Sequence, residues 1–469
     1  MVSEIMKKFN KDKYLKQLEF KRFYRKYERY FYIGIPCLLV SILGIYFAYS
    51  KFFVSSEEEV VRTTVGEFIY GDIIMTPYVD GQYSNTFPEK KTGINVEKVI
   101  CDGDVNASWD EDKWGLYVTN LSKRTKCSVY FVTTASCGIN DNVKCISNRE
   151  EFATLANEVN NGDNKSGKIY YLTSDIDLGG KFDSSGNALD GNISWIPIGT
   201  EDKPFSGMLD GNGHIISNMY VNRPNDNDNG LFGNATNGFI KNLGIVSSYV
   251  NGNEKNAGII GAYGTLKSVF SLATIKGTSR SAGLCGSNCI IKNSYNGGKI
   301  INGNGDLSGG ITAGLSTIYN SYNYADVTTS AASIGGIIGW EGNIYNSYNL
   351  GAITGVGYAV GGIYGGGGEG TIEKCYNKGK VSGNPGGGIV GGQYMEGDYN
   401  NFKMILKNNY YLNSTATYGI GKYSKNDNAS PLEASQMPSV ISVINGDNAF
   451  VEDINNINNG YPILKWQVK

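Results

Sequence analysis

Apolar positions in the second half of the chain return with a regular period. Each repeat is marked by a glycine followed by a leucine or isoleucine, and successive marks are 28, 25, 27, 26, 26 and 26 residues apart. The marking glycines are Gly230, Gly258, Gly283, Gly310, Gly336, Gly362 and Gly388. Because a fixed period of about 20 to 50 residues is typical of repeat proteins, this stretch predicts a solenoid.

Aligned repeats place apolar residues in columns. One aliphatic column consists of Ile240, Leu266, Ile291, Ile318, Ile344 and Ile372, and another of Ile275, Ile300, Val327, Ile353 and Val381. With the glycine-marked phrase, these columns give three short β-like segments in each repeat. Three strands per turn predict a mainly β fold, a parallel β-helix whose rungs of about 26 residues stack so that the apolar columns fill its interior.

Three further columns follow the first aliphatic one. An asparagine column, Asn296, Asn323, Asn349 and Asn377, is predicted to hydrogen-bond from rung to rung. The position just before the asparagine column holds an aromatic residue. With the preceding rung included, these residues are Phe270, Tyr295, Tyr322, Tyr348 and Tyr376. The position before the aromatics holds Leu243, Val269, Ser294, Ser321, Ser347 and Cys375, which we expect to face inwards.

Strand alternation then directs the aromatic column outwards. Rings about 4.8 Å apart would form a strip about 19 Å long on one face. Exposed aromatic patches usually mark contact surfaces, so we take these five residues as candidate contacts for sugar rings or a partner protein. The alternative is that the rings pack under a neighbouring loop or shield the strands, since β-structure favours aromatic residues in any case.

The N-terminal region predicts a membrane anchor. Residues 1–30 carry ten Lys or Arg against four acidic residues, and residues 31–50 carry no charge. An apolar helix of about 20 residues spans a bilayer, and the basic flank favours a cytoplasmic N-terminus. We therefore predict a basic cytoplasmic tail over 1–30 and a single transmembrane helix over 31–53. A secretory signal peptide is the alternative interpretation.

Between the anchor and the repeats, short alternating runs predict a small antiparallel β-domain over residues 57–135, which we interpret as a stalk. A linker and a capping helix follow over 136–165, where Ser147 and Glu150 form a capping-box pattern. The β-helix then extends over 166–469, with a C-terminal cap from about 430. Outside the cytoplasm, plausible disulfides are Cys101–Cys127, Cys137–Cys145 and Cys285–Cys289, which leaves Cys375 as a buried small residue.

Several phrases carry a family resemblance. The sequences W-I-P-I-G from Trp195, F-S-G-x-L-D-G-N-G-H from Phe205 and G-L-F-G from Gly230 resemble the opening of GLUG-motif proteins. The resemblance covers about Glu151 to Lys469. It implies a bacterial surface or secreted protein and a right-handed parallel β-helix, but it says little about activity.

Composition and charge restrict the function. The net charge of −2 and the lack of a recurring basic stripe argue against nucleic-acid binding, and the single histidine leaves few metal or acid–base sites. Enzymes on β-helices need clustered carboxylates, yet no acidic column occurs in the repeats. The remaining candidates for acid–base chemistry are Asp175, Asp177, Asp210 and His214, which we interpret as framework. No catalytic, metal or cofactor residue is predicted.

The sequence therefore favours a single-pass membrane protein, with most of its chain extracellular, that displays a β-helix for adhesion to or recognition of a glycan or a surface protein. Two alternatives stay open. One is a carbohydrate-active lyase or hydrolase on the same scaffold, and the other is a passive structural spacer.

Overall fold

The computed structural model describes residues 62–64, 67–70, 73–79, 82–84, 87–88, 94–102, 106–110, 114–119, 124–133, 141–302, 305–384, 386–392, 403–421, 428–445 and 448–468. The chain forms two compact units, Met1–Ser136 and Cys137–Lys469. The predicted cytoplasmic tail and transmembrane segment lie outside the described residues. Within the described ranges, no helix is both long and apolar enough to cross a bilayer.

The first unit contains a small β-structure. Its strands are Arg62–Thr64, Glu67–Tyr70, Ile73–Val79, Gln82–Tyr83, Ile94–Cys101, Asn106–Asp110, Gly115–Thr119 and Thr125–Thr133. Most pairs are antiparallel, as predicted, but Ile73–Val79 lies parallel to Thr125–Thr133. An alternating apolar pattern suits either direction, so the pattern alone could not distinguish the parallel pair. Val129 and Phe131 lie in the core, and a disulfide joins Cys101 to Cys127 across adjacent strands.

Helix α1, Arg149–Asn160, lies at the start of the second unit. Asn148 caps it by accepting a hydrogen bond from the N–H of Glu151 at 3.0 Å. The Glu151 carboxylate in turn accepts from the backbone N–H of Ser147 at 2.7 Å. The predicted capping box is therefore displaced by one residue, because the Asn148 side chain reaches the third helical N–H. The apolar face of α1 buries Phe152, Leu155, Ala156 and Val159 in the interior of the solenoid.

The rest of the second unit is a parallel β-solenoid, as the periodicity predicted. Its second sheet has ten strands, one for each rung. These are Ile176–Asp177, Ile215–Ser217, Gly244–Val246, Phe270–Ser271, Tyr295–Asn296, Tyr322–Asn323, Tyr348–Asn349, Tyr376–Asn377, Asn409–Leu412 and Ala429–Leu432. The third sheet has seven, namely Tyr220–Arg223, Tyr249–Gly252, Thr274–Gly277, Ile300–Asn302, Val327–Thr329, Ile353–Gly355 and Val381–Ser382.

The first sheet is the largest. Its strands are Val143–Ile146, Ile169–Leu172, Met208–Asp210, Phe232–Asn234, Phe239–Lys241, Asn256–Ala257, Ile260–Lys267, Ser281–Ala282, Cys285–Lys292, Leu307–Gly309, Thr312–Tyr319, Ser333–Gly335, Ile338–Tyr345, Ala359–Gly361, Tyr364–Glu373, Gly386–Gly392, Lys403–Lys407 and Tyr418–Ile420. A central rung therefore holds one strand of eight residues. The two-residue Tyr-Asn strand follows it as a separate element.

A corner separates these two strands. At this corner Asn242, Ser268, Asn293, Asn320, Asn346, Lys374 and Asn408 all have φ between 48° and 55°. Asparagine tolerates this left-handed conformation better than most residues, which explains why it recurs here. The side-chain amide of Asn320 donates to Asn293, and that of Asn346 donates to Asn320, each at 3.2 Å. The chain direction thus changes at the same residue in each rung.

The interior matches the predicted columns. Ile291, Ile318 and Ile344 are completely buried, and so is Cys375, whose thiol is free. The hydroxyl-bearing positions of the Cys375 column are satisfied between rungs, because the N–H of Ser294 donates to Ser321 Oγ at 3.1 Å. The predicted inward direction of this column is confirmed.

The other described cysteines of the second unit are disulfide-bonded. Cys285 and Cys289 are joined by a disulfide that spans a corner at Asn288, which has φ of 62°. Cys145 is disulfide-bonded as well, and Cys137, its predicted partner, lies outside the described residues.

The chain ends in a segment that folds back over the second sheet. It contains the 3₁₀ helix Met437–Val440, helix α2 at Ile441–Ile444, the antiparallel strands Phe450–Val451 and Ile463–Leu464, and the 3₁₀ helix Lys465–Gln467. We call residues 433–468 the cap segment. Met437, Val440, Ile444, Phe450 and Leu464 are buried in one apolar cluster with Tyr348 and Tyr376.

Candidate functional site

The aromatic column forms a continuous stack, which we call the aromatic ladder. Neighbouring ring centroids are 5.0, 5.0, 4.9 and 4.8 Å apart along Phe270, Tyr295, Tyr322, Tyr348 and Tyr376. Adjacent ring planes differ by 4°, 11°, 8° and 7°. The ladder arises because each residue pairs in register with its counterpart on the next rung, so identical side-chain directions are repeated at the strand spacing.

The asparagine column lies on the opposite, inward side of the same short strands. Asn296 donates to Asn323 at 3.0 Å, Asn323 to Asn349 at 2.8 Å, and Asn349 to Asn377 at 2.9 Å. All four are completely buried. Each amide also donates to the carbonyl two residues further on, so the predicted hydrogen-bonded column is confirmed.

At four of the seven marking glycines, the asparagine amides and the backbone of the next rung together leave no room for a side chain. A Cβ atom at Gly283, Gly310, Gly336 or Gly362 would lie between 2.1 and 2.5 Å from an amide atom of the asparagine column. Real Cβ atoms do not approach other atoms this closely, so only glycine fits. At these four rungs the marking glycine therefore packs directly against the asparagine side chain. This packing fixes the rotation of the Tyr-Asn strand.

The predicted exposure of the ladder is wrong for its last two rings. Tyr348 is 1% exposed and Tyr376 is 0% exposed, because the cap segment covers them. The Tyr348 hydroxyl donates to the Gln467 side chain at 2.8 Å. The Tyr376 hydroxyl donates to the Pro462 carbonyl and accepts from the Asn458 amide, the latter at 2.7 Å. Burial raises the pKa of both phenols well above the ordinary value, so they stay neutral donors.

The cap segment reaches as far as the middle of the ladder. The Trp466 indole N–H donates to the backbone carbonyl of Asn320 at 2.7 Å. Its ring lies beside the ladder, with its centroid 5.8 Å from that of Tyr322 and 6.5 Å from that of Tyr295. These contacts correspond to the alternative interpretation of the sequence, in which the rings pack under another part of the chain.

The first part of the ladder stays accessible. Phe270 and Tyr295 are partly exposed, and Tyr324 and Leu272, two residues beyond ladder positions, are 43% and 38% exposed. The Tyr324 ring lies 5.9 Å from that of Tyr295. We call the surface formed by Phe270, Leu272, Tyr295, Tyr324 and Trp466 the open end of the ladder.

The ring faces within the ladder are occupied. Nearly parallel rings at about 5 Å leave no space between them, so each ring presents only its edge, and the tyrosines also their hydroxyls. The outer face of Phe270 lies against Gly244, where a Cβ would be 2.2 Å from the ring. Sugar rings stack on aromatic faces, and no ring within the ladder has a free face for the predicted stacking of a glycan. The exposed ring of Tyr324 lies outside the stack.

The acidic candidates serve separate framework contacts. Asp175 accepts from His214 and from the Ile215 N–H, both at 3.1 Å, and the backbone bond is the larger cause of its lowered pKa. Asp177 accepts from an asparagine amide at 2.9 Å, and Asp210 forms a buried ion pair with Lys241 at 3.3 Å. Among the described residues, no group of three or more His, Cys, Asp and Glu is arranged to hold a metal ion.

One pocket contains carboxylates. It has a volume of about 430 Å³ and lies between helix α1 and strand Val143–Ile146, with Glu151, Glu158 and Tyr170 in its wall. Seven residues along a helix correspond to about 10.5 Å, which exceeds the separation of about 5 to 9.5 Å in glycosidases. Glu151 is bonded to Ser147, and Glu158 pairs with Lys165 at 2.6 Å. Of the three carboxylates that line the pocket, with Asp141 as the third, Glu151 and Glu158 therefore already have structural partners.

The stacked columns define the chain as a parallel β-solenoid protein with about ten rungs. Over 130 residues it is 32% identical to halomucin from Haloquadratum walsbyi, covering 27% of this chain and 1% of halomucin. Over 85 residues it is 35% identical to a protein assigned as a Gly-rich membrane protein in Evansella cellulosilytica, covering 18% of this chain and 9% of that protein. The chain thus spans only a small part of either relative.

The crystal structure of a protein assigned as an immunoglobulin A1 protease from Bacteroides ovatus is also similar. It aligns with 70% of this chain and 94% of its own length, with a TM-score of 0.45 and 20% identity. No family model matches the chain.

Proposed function

We propose that the protein is a surface protein that displays its β-solenoid for recognition of an extracellular glycan or protein. In this proposal residues 31–53 form the membrane anchor with a cytoplasmic N-terminus, residues 57–135 serve as a stalk, and the solenoid is right-handed and of the GLUG type. The observation that carries the recognition role is the open end of the ladder, an aromatic surface held on a rigid stack of rungs.

Two points support this role over the alternatives. Asp175, Asp210 and Glu158 each make a structural contact, which disfavours a lyase or hydrolase that uses them. A passive spacer needs no exposed cluster of aromatic and apolar side chains. At the open end, Tyr324 and Leu272 each expose about two fifths of their surface. A relative assigned as a membrane protein supports the proposed location.

Location and recognition are tested separately. Protease treatment of intact cells that express the full chain should degrade the solenoid and leave an N-terminal fragment. The full chain in detergent micelles is then applied to an array of surface glycans and proteins. Binding without release of reducing sugar supports recognition. A protected solenoid would contradict the location, and release of sugar from a polysaccharide would favour the enzyme.

A further inference from the structure

The cap segment shows which chemistry the aromatic ladder accepts. It approaches the ladder from the side and contacts ring edges and hydroxyls. A main-chain carbonyl, that of Pro462, accepts from Tyr376, and a side-chain amide, that of Gln467, accepts from Tyr348. Apolar side chains, including Phe450 and Leu464, fill the space beside the rings. A polypeptide offers this combination of carbonyls and apolar side chains at short spacing.

The open end repeats the same features, and the cap segment reaches it with Trp466, whose ring lies 6.5 Å from that of Tyr295. The strand that holds Tyr295 pairs in register with that of Tyr322, which pairs in register with that of Tyr348. A carbonyl placed beside Tyr295 would therefore meet a phenol in the same relation as the carbonyl beside Tyr376. Leu272 and Tyr324 supply exposed apolar surface next to it.

We propose that the open end of the ladder binds an extended polypeptide segment of a partner protein, rich in apolar and aromatic side chains, as a continuation of the contact made by the cap segment. This inference rests on the proposed recognition function and names its ligand class. Within the ladder the occupied ring faces disfavour a glycan, since stacking on sugar needs a free aromatic face. The Tyr324 ring, outside the stack, packs against Gly297, where a Cβ would lie 2.0 Å from it. A polypeptide needs only ring edges, hydroxyls and the adjoining apolar surface.

The probe is a fluorescent peptide with the sequence of residues 457–468, which already fits the ladder in the cap segment. Its binding to the full chain in micelles is measured by fluorescence anisotropy, with a scrambled peptide as the reference. We expect the peptide to bind in preference to its scrambled form. Tyr324→Ala and Leu272→Ser should each weaken binding by about tenfold, since each removes apolar contact worth about 1.4 kcal/mol.

A matched control is Tyr263→Ala, because Tyr263 is 41% exposed but lies on the first sheet. It should leave peptide affinity unchanged. Equal affinity of wild type, Tyr324→Ala and Leu272→Ser, or no preference over the scrambled peptide, would overturn the polypeptide inference. If a glycan on the array binds and loses affinity in Tyr324→Ala, the inference also fails while the recognition function stands. A chain that is protected in intact cells would instead remove the proposed function.

Discussion

At the scale of single residues, the buried asparagine column carries much of the specificity of the solenoid. Each amide satisfies its own strand end and the next rung at once. A buried donor or acceptor that loses its partner costs about 1 to 3 kcal/mol. The columns therefore penalise any slip in the register between rungs, whereas aliphatic columns alone would tolerate one.

We expect Asn323→Ala to lower the free energy of unfolding by about 2 to 4 kcal/mol, because it removes the acceptor for Asn296 and the donor for Asn349. The measurement is urea unfolding followed by circular dichroism. Asn251→Ala is the control, since the Asn251 amide makes a similar rung-to-rung bond at 2.7 Å on the surface. That change should stay within about 0.5 kcal/mol. Equal effects of the two variants would show that burial of the column is not decisive.

Cys375 gives a second prediction at this scale. Burial raises the pKa of its thiol from 9.0 to about 12. Between these values the unfolded thiol is ionised and the folded thiol is not, so ionisation favours the unfolded chain and stability falls as the pH rises. Cys375→Ser fits the serine column and removes this contribution. The loss of stability between pH 9 and 11 should therefore be smaller in the variant than in the wild type, measured by urea unfolding.

A direct check is alkylation with iodoacetamide at pH 8.5, followed by mass spectrometry. Cys375 should stay unmodified in the native chain and react after denaturation, since a thiol needs both exposure and ionisation. Rapid labelling of Cys375 in the native chain would contradict its buried position.

At the scale of elements, neighbouring rungs stabilise the same corner with different bonds. Cys285 and Cys289 are bonded covalently. On the next rung Thr312 is in register with Cys285, and Ser316 accepts from the Cys289 N–H. The hydroxyl oxygens of Thr312 and Ser316 lie 3.0 Å apart. The disulfide therefore occupies a site where the neighbouring rung uses a hydrogen bond. Its short loop limits its stabilisation to about 2 kcal/mol in the chain-entropy model.

We therefore expect the double variant Cys285→Thr, Cys289→Ser to fold and to lose only about 1 kcal/mol, because a new hydroxyl pair partly replaces the disulfide. Cys285→Ala with Cys289→Ala is the comparison, which leaves a cavity without the hydrogen bond and should lose more. Thermal unfolding under identical conditions measures both. A double Thr/Ser variant that fails to fold would show that the corner requires the covalent link.

Some features of these elements could be predicted from the sequence and others could not. A side chain that faces inwards on every rung leaves a periodic apolar or asparagine column, so the interior and the stacking of Tyr295 on Tyr322 could be predicted. The left-handed corner at Asn293 and Asn320 also has a sequence signal, an asparagine that recurs three residues before the buried asparagine column. The spacing of apolar residues, however, does not reveal the backbone conformation at that corner. The displaced cap of α1 depended on which of two adjacent polar residues reached the backbone.

At the scale of the whole molecule, the coverage of the ladder could not be predicted from local patterns. Gln467 is separated from Tyr348 by 119 residues, and Trp466 from Asn320 by 146. Such a contact leaves no periodic trace in the sequence. The ending Tyr461–Gln467 is aromatic and apolar, which signals burial somewhere, but it does not indicate on which face.

The cap segment should stabilise the rungs on which it lies more than the distant ones. Solenoid rungs contact mainly their neighbours, so the loss of a contact weakens nearby rungs first. Trp466→Ala removes the indole bond to Asn320 and the ring contact with Tyr322. We expect amide hydrogen exchange to accelerate by about tenfold or more in the strands that contain Tyr322 and Tyr348, corresponding to a local loss of at least about 1.4 kcal/mol.

The strands of the first rungs, such as Ile215–Ser217, should keep their protection in the same experiment. Ile454→Ala is the control within the cap segment, because Ile454 is 86% exposed and its truncation removes no buried contact. Uniform acceleration along the whole solenoid in Trp466→Ala would mean that the rungs unfold as one cooperative unit. Unchanged exchange near Tyr322 would mean that the cap segment only covers the ladder. The local outcome would instead establish that the cap segment holds the C-terminal half of the ladder.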